Sequence, residues 1–354
     1  MGFRRSRDYC HGADDPLVLS LVSSSVWDDM KSDQEQTSHR YETSAVEKVS
    51  RGNMIYNLKL ETLVRPGWLD KVLWPFDTFG MKVDGHTIAV TDVGSGPVLL
   101  FVHTGFWSFI WRDLIRRLSQ NFRCICFDSP GTGLSDRVPV ASISLYNAAT
   151  TMAALIVTLG LKGFTLVVHD LGGPVGIGGG AKFAERVNGI AVLNAFAWKP
   201  ADFKLRLGLV LMGSTVVREL DVFTGAVPRI TSSSFGIGRR MDEPSRNAFR
   251  LGIGSEGLRA FHQYMRDAHD GEKIYGKTST ALSGPFRHLP LITIFGERND
   301  PFRFQEHWKN LYPDATQVMV RKGNHFPMCD DPDFVAGTLH RWHREIVRSS
   351  SLST

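Results

Sequence analysis

Among its 354 residues the chain holds only four cysteines, Cys10, Cys124, Cys126 and Cys329, with neither the number nor the spacing of a disulfide framework or a zinc site. Cys124 and Cys126 alternate along an expected strand, where both point to one face as small apolar residues, and reduced thiols fit a cytoplasmic location. A long apolar run is also lacking. The longest, from Leu207 to Val217, is broken by Gly208, Gly213 and Ser214 and falls short of the ~20 residues that a membrane helix needs, so no membrane span is expected. No basic block is present either: Lys and Arg number 41 against 36 Asp and Glu, a modest +5 spread along the chain, and the short run Arg4-Arg5-Ser6-Arg7 does not make a nucleic-acid protein. The N-terminus matches the loose myristoylation pattern in Met1-Gly2-Phe3-Arg4-Arg5-Ser6, which is too short to establish an anchor.

With 42% hydrophobic and 22% charged residues the chain is of ordinary globular composition, which excludes wholesale disorder. Residues 1–65 are rich in Ser, Asp, Glu, Gln and Lys and read as a polar, partly disordered extension. From Trp68 onward, short β-branched or aromatic runs alternate with helical stretches, the signature of a mostly parallel sheet flanked by helices. Eight strands are expected, at 79–83, 87–92, 98–103, 123–127, 165–169, 190–193, 291–295 and 317–320. The first two are separated by Asp84-Gly85, which marks a hairpin, so the sheet opens antiparallel before it becomes parallel. Almost a hundred residues without a clear strand lie between Leu193 and Leu291, among them a helical pattern from Arg246 to Ala268. The domain reading is therefore a core at 66–197 and 288–347, a helical cap at 198–287 acting as a lid, and a flexible tail at 348–354.

The segment Val168-His169-Asp170-Leu171-Gly172-Gly173 follows an apolar strand and opens a helix, the setting of a nucleophile elbow, in which the turn residue is lifted above the sheet edge. Here that residue is the carboxylate of Asp170, which would otherwise serve as a helix cap. Later strands end on Gly296-Glu297-Arg298-Asn299-Asp300-Pro301 and Gly323-Asn324-His325-Phe326, so nucleophile, acid and histidine occur in the chain order of α/β-hydrolases. Asp300 is preferred over Glu297 as the acid, and His325 is the base. The glycines at Gly172, Gly173, Gly176 and Gly178 to Gly180 read as close helix packing; no acidic residue stands at the distance a dinucleotide cradle requires, and no cofactor or metal is expected.

On these residues, and on Val93-Gly94-Ser95-Gly96-Pro97, Trp107 to Leu114 and Phe127 to Asp136, the chain resembles haloalkane dehalogenases and the related epoxide hydrolases of the α/β-hydrolase superfamily over about Trp68 to Ile346. The resemblance implies Asp170 as nucleophile, His325 as base, Asp300 as its partner, and an oxyanion pocket from the backbone N–H of Leu171 and one in the loop His103-Thr104-Gly105-Phe106. An Asp nucleophile favours attack on a saturated carbon, giving an alkyl ester that a His-activated water then cleaves. The implied substrate is small, apolar and organic, with water as the second reactant.

The halide ligands depart from the dehalogenase pattern. Leu171 stands where that family places a Trp, Gly105 where it commonly places an Asn, and residues 199–290 contain no Trp. Trp107 is the available substitute, its other reading being a core aromatic. For epoxide opening, Tyr264 and Tyr275 are the tyrosines of the lid that could serve as the acid, and Phe106 lies where that group has a proline. Dehalogenation is the leading expectation and epoxide opening the alternative; a cofactor-independent oxygenase or luciferase-like protein, or a non-catalytic binding protein, are readings from other classes.

Overall fold

The computed structural model describes residues 60–352. Expectations for Cys10, the Arg4–Arg7 cluster, the myristoylation pattern and nearly all of the polar extension lie outside the described residues. Nine strands form one sheet: β1 (Glu61–Thr62), β2 (Phe79–Val83), β3 (His86–Val93), β4 (Val98–Val102), β5 (Arg123–Phe127), β6 (Phe164–His169), β7 (Val187–Leu193), β8 (Leu291–Gly296) and β9 (Thr316–Val320). Their order is β1-β2-β3-β5-β4-β6-β7-β8-β9; β1, β2, β3 and β5 pair antiparallel, and every pair from β5-β4 to β8-β9 is parallel. All eight expected strands are present. The ninth, β1, lies inside the stretch assigned to the extension, where two polar residues, Glu61 and Thr62, gave no strand signal. It continues into a tied segment, for the Arg65 guanidinium donates to the carbonyls of Trp74 at 2.5 Å and Phe76 at 2.8 Å.

The Asp84-Gly85 hairpin forms as expected: both residues have positive φ, 48° and 79°, the left-handed pair that a two-residue turn between right-twisted strands requires. Along the central strands successive side chains enter two different cores. Leu100 and Val102 join Leu166, Val168, Ile190 and Val192 on one face, while Leu99 and Phe101 join Val167, Ala191, Ile292 and Ile294 on the other. Each such fully buried aliphatic side chain contributes about 1.5–3 kcal/mol, which is why a strand covered on both faces reads as an unbroken apolar run. Cys124 and Cys126 sit with the second set as free, buried thiols, both on one face.

Helices α1 (Arg112–Leu118), α2 (Leu145–Thr158) and α3 (Gly172–Gly180) precede β7; α9 (Phe304–Leu311), α10 (Pro327–Asp330) and α11 (Pro332–Leu352) follow β8. Ala149, Met152 and Val175 of α2 and α3 cover the first face, and Leu114, Val335 and Leu339 of α1 and α11 the second. Between β7 and β8 the chain is helical: α4 (Phe203–Met212), α5 (Thr215–Thr224), α6 (Ala226–Thr231), α7 (Glu243–Asp270, interrupted at Gly254 with φ 58°) and α8 (Glu272–Ser283). The glycine-rich α3 admits close neighbours: a side chain at Gly178 would meet Ile274 of α8, and one at Gly179 the Ala149 carbonyl of α2. Buried within the insertion, His262 of α7 faces the Met212 carbonyl at 2.6 Å and the Asp221 carboxylate at 2.8 Å. Through these two contacts the side chain joins α4, α5 and α7. No described helix is long and apolar enough to cross a membrane.

Candidate active site

Strand β6 is buried over its whole length and delivers the chain to Asp170, whose φ of 51° is left-handed. A non-glycine residue there costs about 1–2 kcal/mol, so the surroundings must enforce it. They do so through Gly172 and Gly173: a Cβ at the first would stand 2.0 Å from the Val102 carbonyl oxygen, and at the second 1.9 Å from that of Phe196. Only glycines let the start of α3 press this closely between β4 and the segment after β7. The Asp170 carboxylate makes no capping bond to α3; the N-cap residue is Leu171, without a side-chain cap. Asp170 Oδ2 lies 3.8 Å from His325 Nε2, and both side chains remain partly open, 23% and 33% exposed. Burial alone would push the Asp170 carboxyl upward, but the neighbouring His325, with His169 and His103, outweighs it and holds the group at about 2.

His325 sits in the loop between β9 and α10. That loop is tied to the one after β8 by backbone bonds from Glu297 to Val320 and from Arg298 to Gly323, and by the Glu297 carboxylate accepting from Lys322 N at 2.6 Å. Glu297, the alternative acid, is thereby used in joining the two loops. The expected partner Asp300 is elsewhere too: its oxygens accept from Phe304 N at 2.7 Å and Gln305 N at 3.0 Å, at the start of α9. The residue that meets His325 is Asn299, whose Oδ1 accepts from Nδ1 at 2.9 Å. Asn194, at the end of β7 with φ 39°, supports it by donating to the Asn299 carbonyl at 2.6 Å while accepting from Gly296 N at 2.7 Å.

Two further histidines lie beneath. The parallel register of β4 and β6 pairs Val102 with Val168, so His103 and His169, the next residues, become neighbours. Burial keeps His169 well below the ordinary histidine range and holds His103 at about 4, so both are neutral. His169 Nε2–H donates to the His325 carbonyl at 2.8 Å, which leaves its Nδ1 bare to accept from His103 Nδ1–H at 3.1 Å. His103 Nε2 is then a buried acceptor without a protein partner among the described residues.

The expected leaving-group pocket is packed around these. Thr104 Oγ1 contacts Ser129 Oγ at 3.2 Å; Gly105 has φ 102° and lies under Phe261; Phe106 stacks on the same ring at 4.7 Å; Leu171 is buried. Trp107 does not present its indole N–H to this space: the group donates to the Phe249 carbonyl at 3.1 Å. The two tyrosines are likewise committed, Tyr264 to the Pro130 carbonyl at 2.9 Å and Tyr275 to the Ala268 carbonyl at 2.7 Å, and burial pushes both phenols upward. Asp128, buried with its carboxyl raised by desolvation, accepts from Ser108 N and Leu134 N, both at 2.7 Å, and so pins the loop that carries Ser129 and Pro130.

Asn299, His103 and His169 were not singled out from the sequence. The signal for Asn299 was its place three residues after the glycine that ends β8, but the chemistry of a carboxylate favoured the next residue. The signal for the histidine pair was that each stands at the end of an apolar run, although strand adjacency is not written in one chain.

Residues 99–338 match the alpha/beta hydrolase family. The chain is 29% identical over 287 residues to a cis-3-alkyl-4-alkyloxetan-2-one decarboxylase of Shewanella oneidensis, covering 75% of this chain and 88% of that one. It is 33% identical over 283 residues to haloalkane dehalogenase 2 of Mycobacterium tuberculosis, covering 76% and 96%. The fold is that of the haloalkane dehalogenase DbeA from Bradyrhizobium elkani, with a TM-score of 0.67 at 19% identity over 77% of this chain and 99% of that one.

Proposed function

This chain belongs to the alpha/beta hydrolase family, and from that premise we propose that it is a hydrolase in which Asp170 attacks a saturated carbon and His325 activates the water that releases the product. The observation that carries this reading is a strained, partly open carboxylate 3.8 Å from an imidazole whose far nitrogen is held by Asn299. An Asp170 oxygen forms the C–O bond as the leaving group departs with its electron pair. A water between His325 Nε2 and the ester then loses a proton to the ring and adds to the ester carbonyl, restoring the carboxylate. The backbone N–H of Leu171 and one in the 103–106 loop stabilise the oxyanion. The helical insertion acts as the cap over this site. The substrate is a small apolar molecule, and dehalogenation is the leading reaction, in keeping with the 33% identical relative.

A second reading follows from the committed polar groups. The Trp107 N–H and both tyrosine hydroxyls are bonded to carbonyls, so none of these three expected groups is offered to a halide or an epoxide oxygen. A strained four-membered lactone needs neither, since opening at its alkyl carbon expels a carboxylate, the anion of an acid with a pKa of about 4. The 29% identical relative is named for such a ring. The test is intact-mass spectrometry of a His325→Gln variant incubated in parallel with haloalkanes, epoxides and β-lactones. An adduct localised to Asp170 supports the reading, and the class that forms it identifies the leaving group. Absence of any adduct together with unimpaired turnover by Asp170→Asn overturns it.

A further inference from the structure

The insertion leaves an amphipathic pattern facing outward. On α4, Phe203, Leu207, Val210 and Leu211 are exposed, Phe203 by 74%, whereas Leu209 is buried and Leu205 and Met212 are half-buried. At about 100° per residue the exposed set lies opposite the buried one, so α4 turns its second apolar stripe away from α7, on which it packs. Helix α5 repeats the pattern: Val216, Leu220 and Phe223, at the i, i+4, i+7 spacing of one face, are exposed by 79%, 60% and 88%.

Unpaired cations border these stripes. Lys204 and Arg206 flank the α4 stripe on its two sides, and Arg229 follows on α6; all three are exposed and without an ion pair among the described residues. The acids nearby are used internally. Asp202 caps α4, Glu219 pairs with Arg218 and Arg259, and Asp221 is buried against His262.

We propose that α4 and α5 of the helical insertion are a peripheral docking surface for an anionic lipid bilayer. Apolar side chains flanked by cations are what a helix lying in the plane of the headgroups requires: the stripe enters the acyl boundary and the cations meet phosphate. A second copy of the chain fits less well, because a two-fold contact through this face gathers Lys204 and Arg206 of both copies into one interface while Glu219 and Asp221 nearby are already paired. The proposal stands apart from the reaction at Asp170.

The full-length protein is sedimented with phosphatidylcholine vesicles, with and without phosphatidylglycerol, and its mass in solution is measured by sedimentation velocity without lipid. Binding to the phosphatidylglycerol vesicles is expected, weakened roughly tenfold or more by Leu207→Ser or Phe223→Ser, and weakened by added salt or by Lys204→Gln with Arg206→Gln. These positions are exposed, so the unfolding transition is expected to be unchanged and serves as the folding control. Failure of the parent protein to sediment with any vesicle overturns the proposal, as does binding that the four substitutions leave intact. A dimer that Leu207→Ser disperses, with no vesicle binding, assigns the face to self-association instead.

Discussion

His325 Nδ1 donates to the amide oxygen of Asn299 at 2.9 Å, while the adjacent Asp300 carboxylate is bonded to the first turn of α9. The imidazole is thus oriented by a neutral acceptor. In the reaction proposed above, Asn299 fixes the tautomer with Nε2 free to take a proton, but supplies no charge to stabilise the imidazolium that follows.

This division of labour separates two neighbouring substitutions. Asn299→Ala is expected to slow turnover on the order of a hundredfold by freeing the ring, with little change in stability. Asp300→Ala is expected to lower stability by about 1 kcal/mol through the lost cap while changing turnover by no more than a few-fold. Steady-state rates beside denaturant titrations decide it, and the reverse pattern would return the acid to Asp300.

Asn299→Asp places a carboxylate beside the ring and favours its protonated form. The acid limb of the pH–rate profile is expected to move to higher pH, because a base must be neutral to accept a proton. Asp170, held at about 2, stays ionised throughout and does not contribute to that limb. An unshifted profile would show that Asn299 does not govern His325.

Tyr264→Phe and Trp107→Phe test whether those groups are structural. Each removes a donor from a buried carbonyl, with an expected loss of about 1–3 kcal/mol of stability and little effect on adduct formation at Asp170. A variant that keeps its melting temperature but loses reaction with epoxides or haloalkanes would return that side chain to catalysis.

The buried histidines make stability depend on pH. His103 is held at about 4 against an ordinary 6.5, and His169 is lowered as well, so the unfolded chain binds more protons below pH 6.5. Their contribution is complete above 6.5 and is lost as pH falls toward 4; for His103 alone it amounts to about 2 kcal/mol between pH 7.5 and pH 5. Thermal melts across that interval are expected to fall, and less steeply in His103→Gln. Parallel curves for the two proteins would contradict it.

Much of the fold was legible because its signals are local. Apolar runs marked all eight principal strands, Asp84-Gly85 marked the hairpin, and a strand followed by Asp170 and two glycines marked the elbow. Strand β1 was not legible, since two polar residues at a sheet edge acquire strand geometry only by pairing with Gly80 and Phe79. That the donors of Trp107, Tyr264 and Tyr275 are bonded to carbonyls was not legible for a related reason: a buried donor takes whatever carbonyl the packed chain brings to it, and for Trp107 and Tyr264 those carbonyls come from residues far away in the sequence.

Residue order and type alone were enough to specify the sheet, its helical insertion, and a lifted carboxylate with a histidine downstream, because these depend on periodicity and on backbone geometry that only certain residues tolerate. Which neighbour meets the histidine, and that His103 and His169 lie side by side, depended on loop conformation and strand register. Those are outcomes of close packing between distant segments, in which one residue's shift along a turn exchanges a carboxylate for an amide.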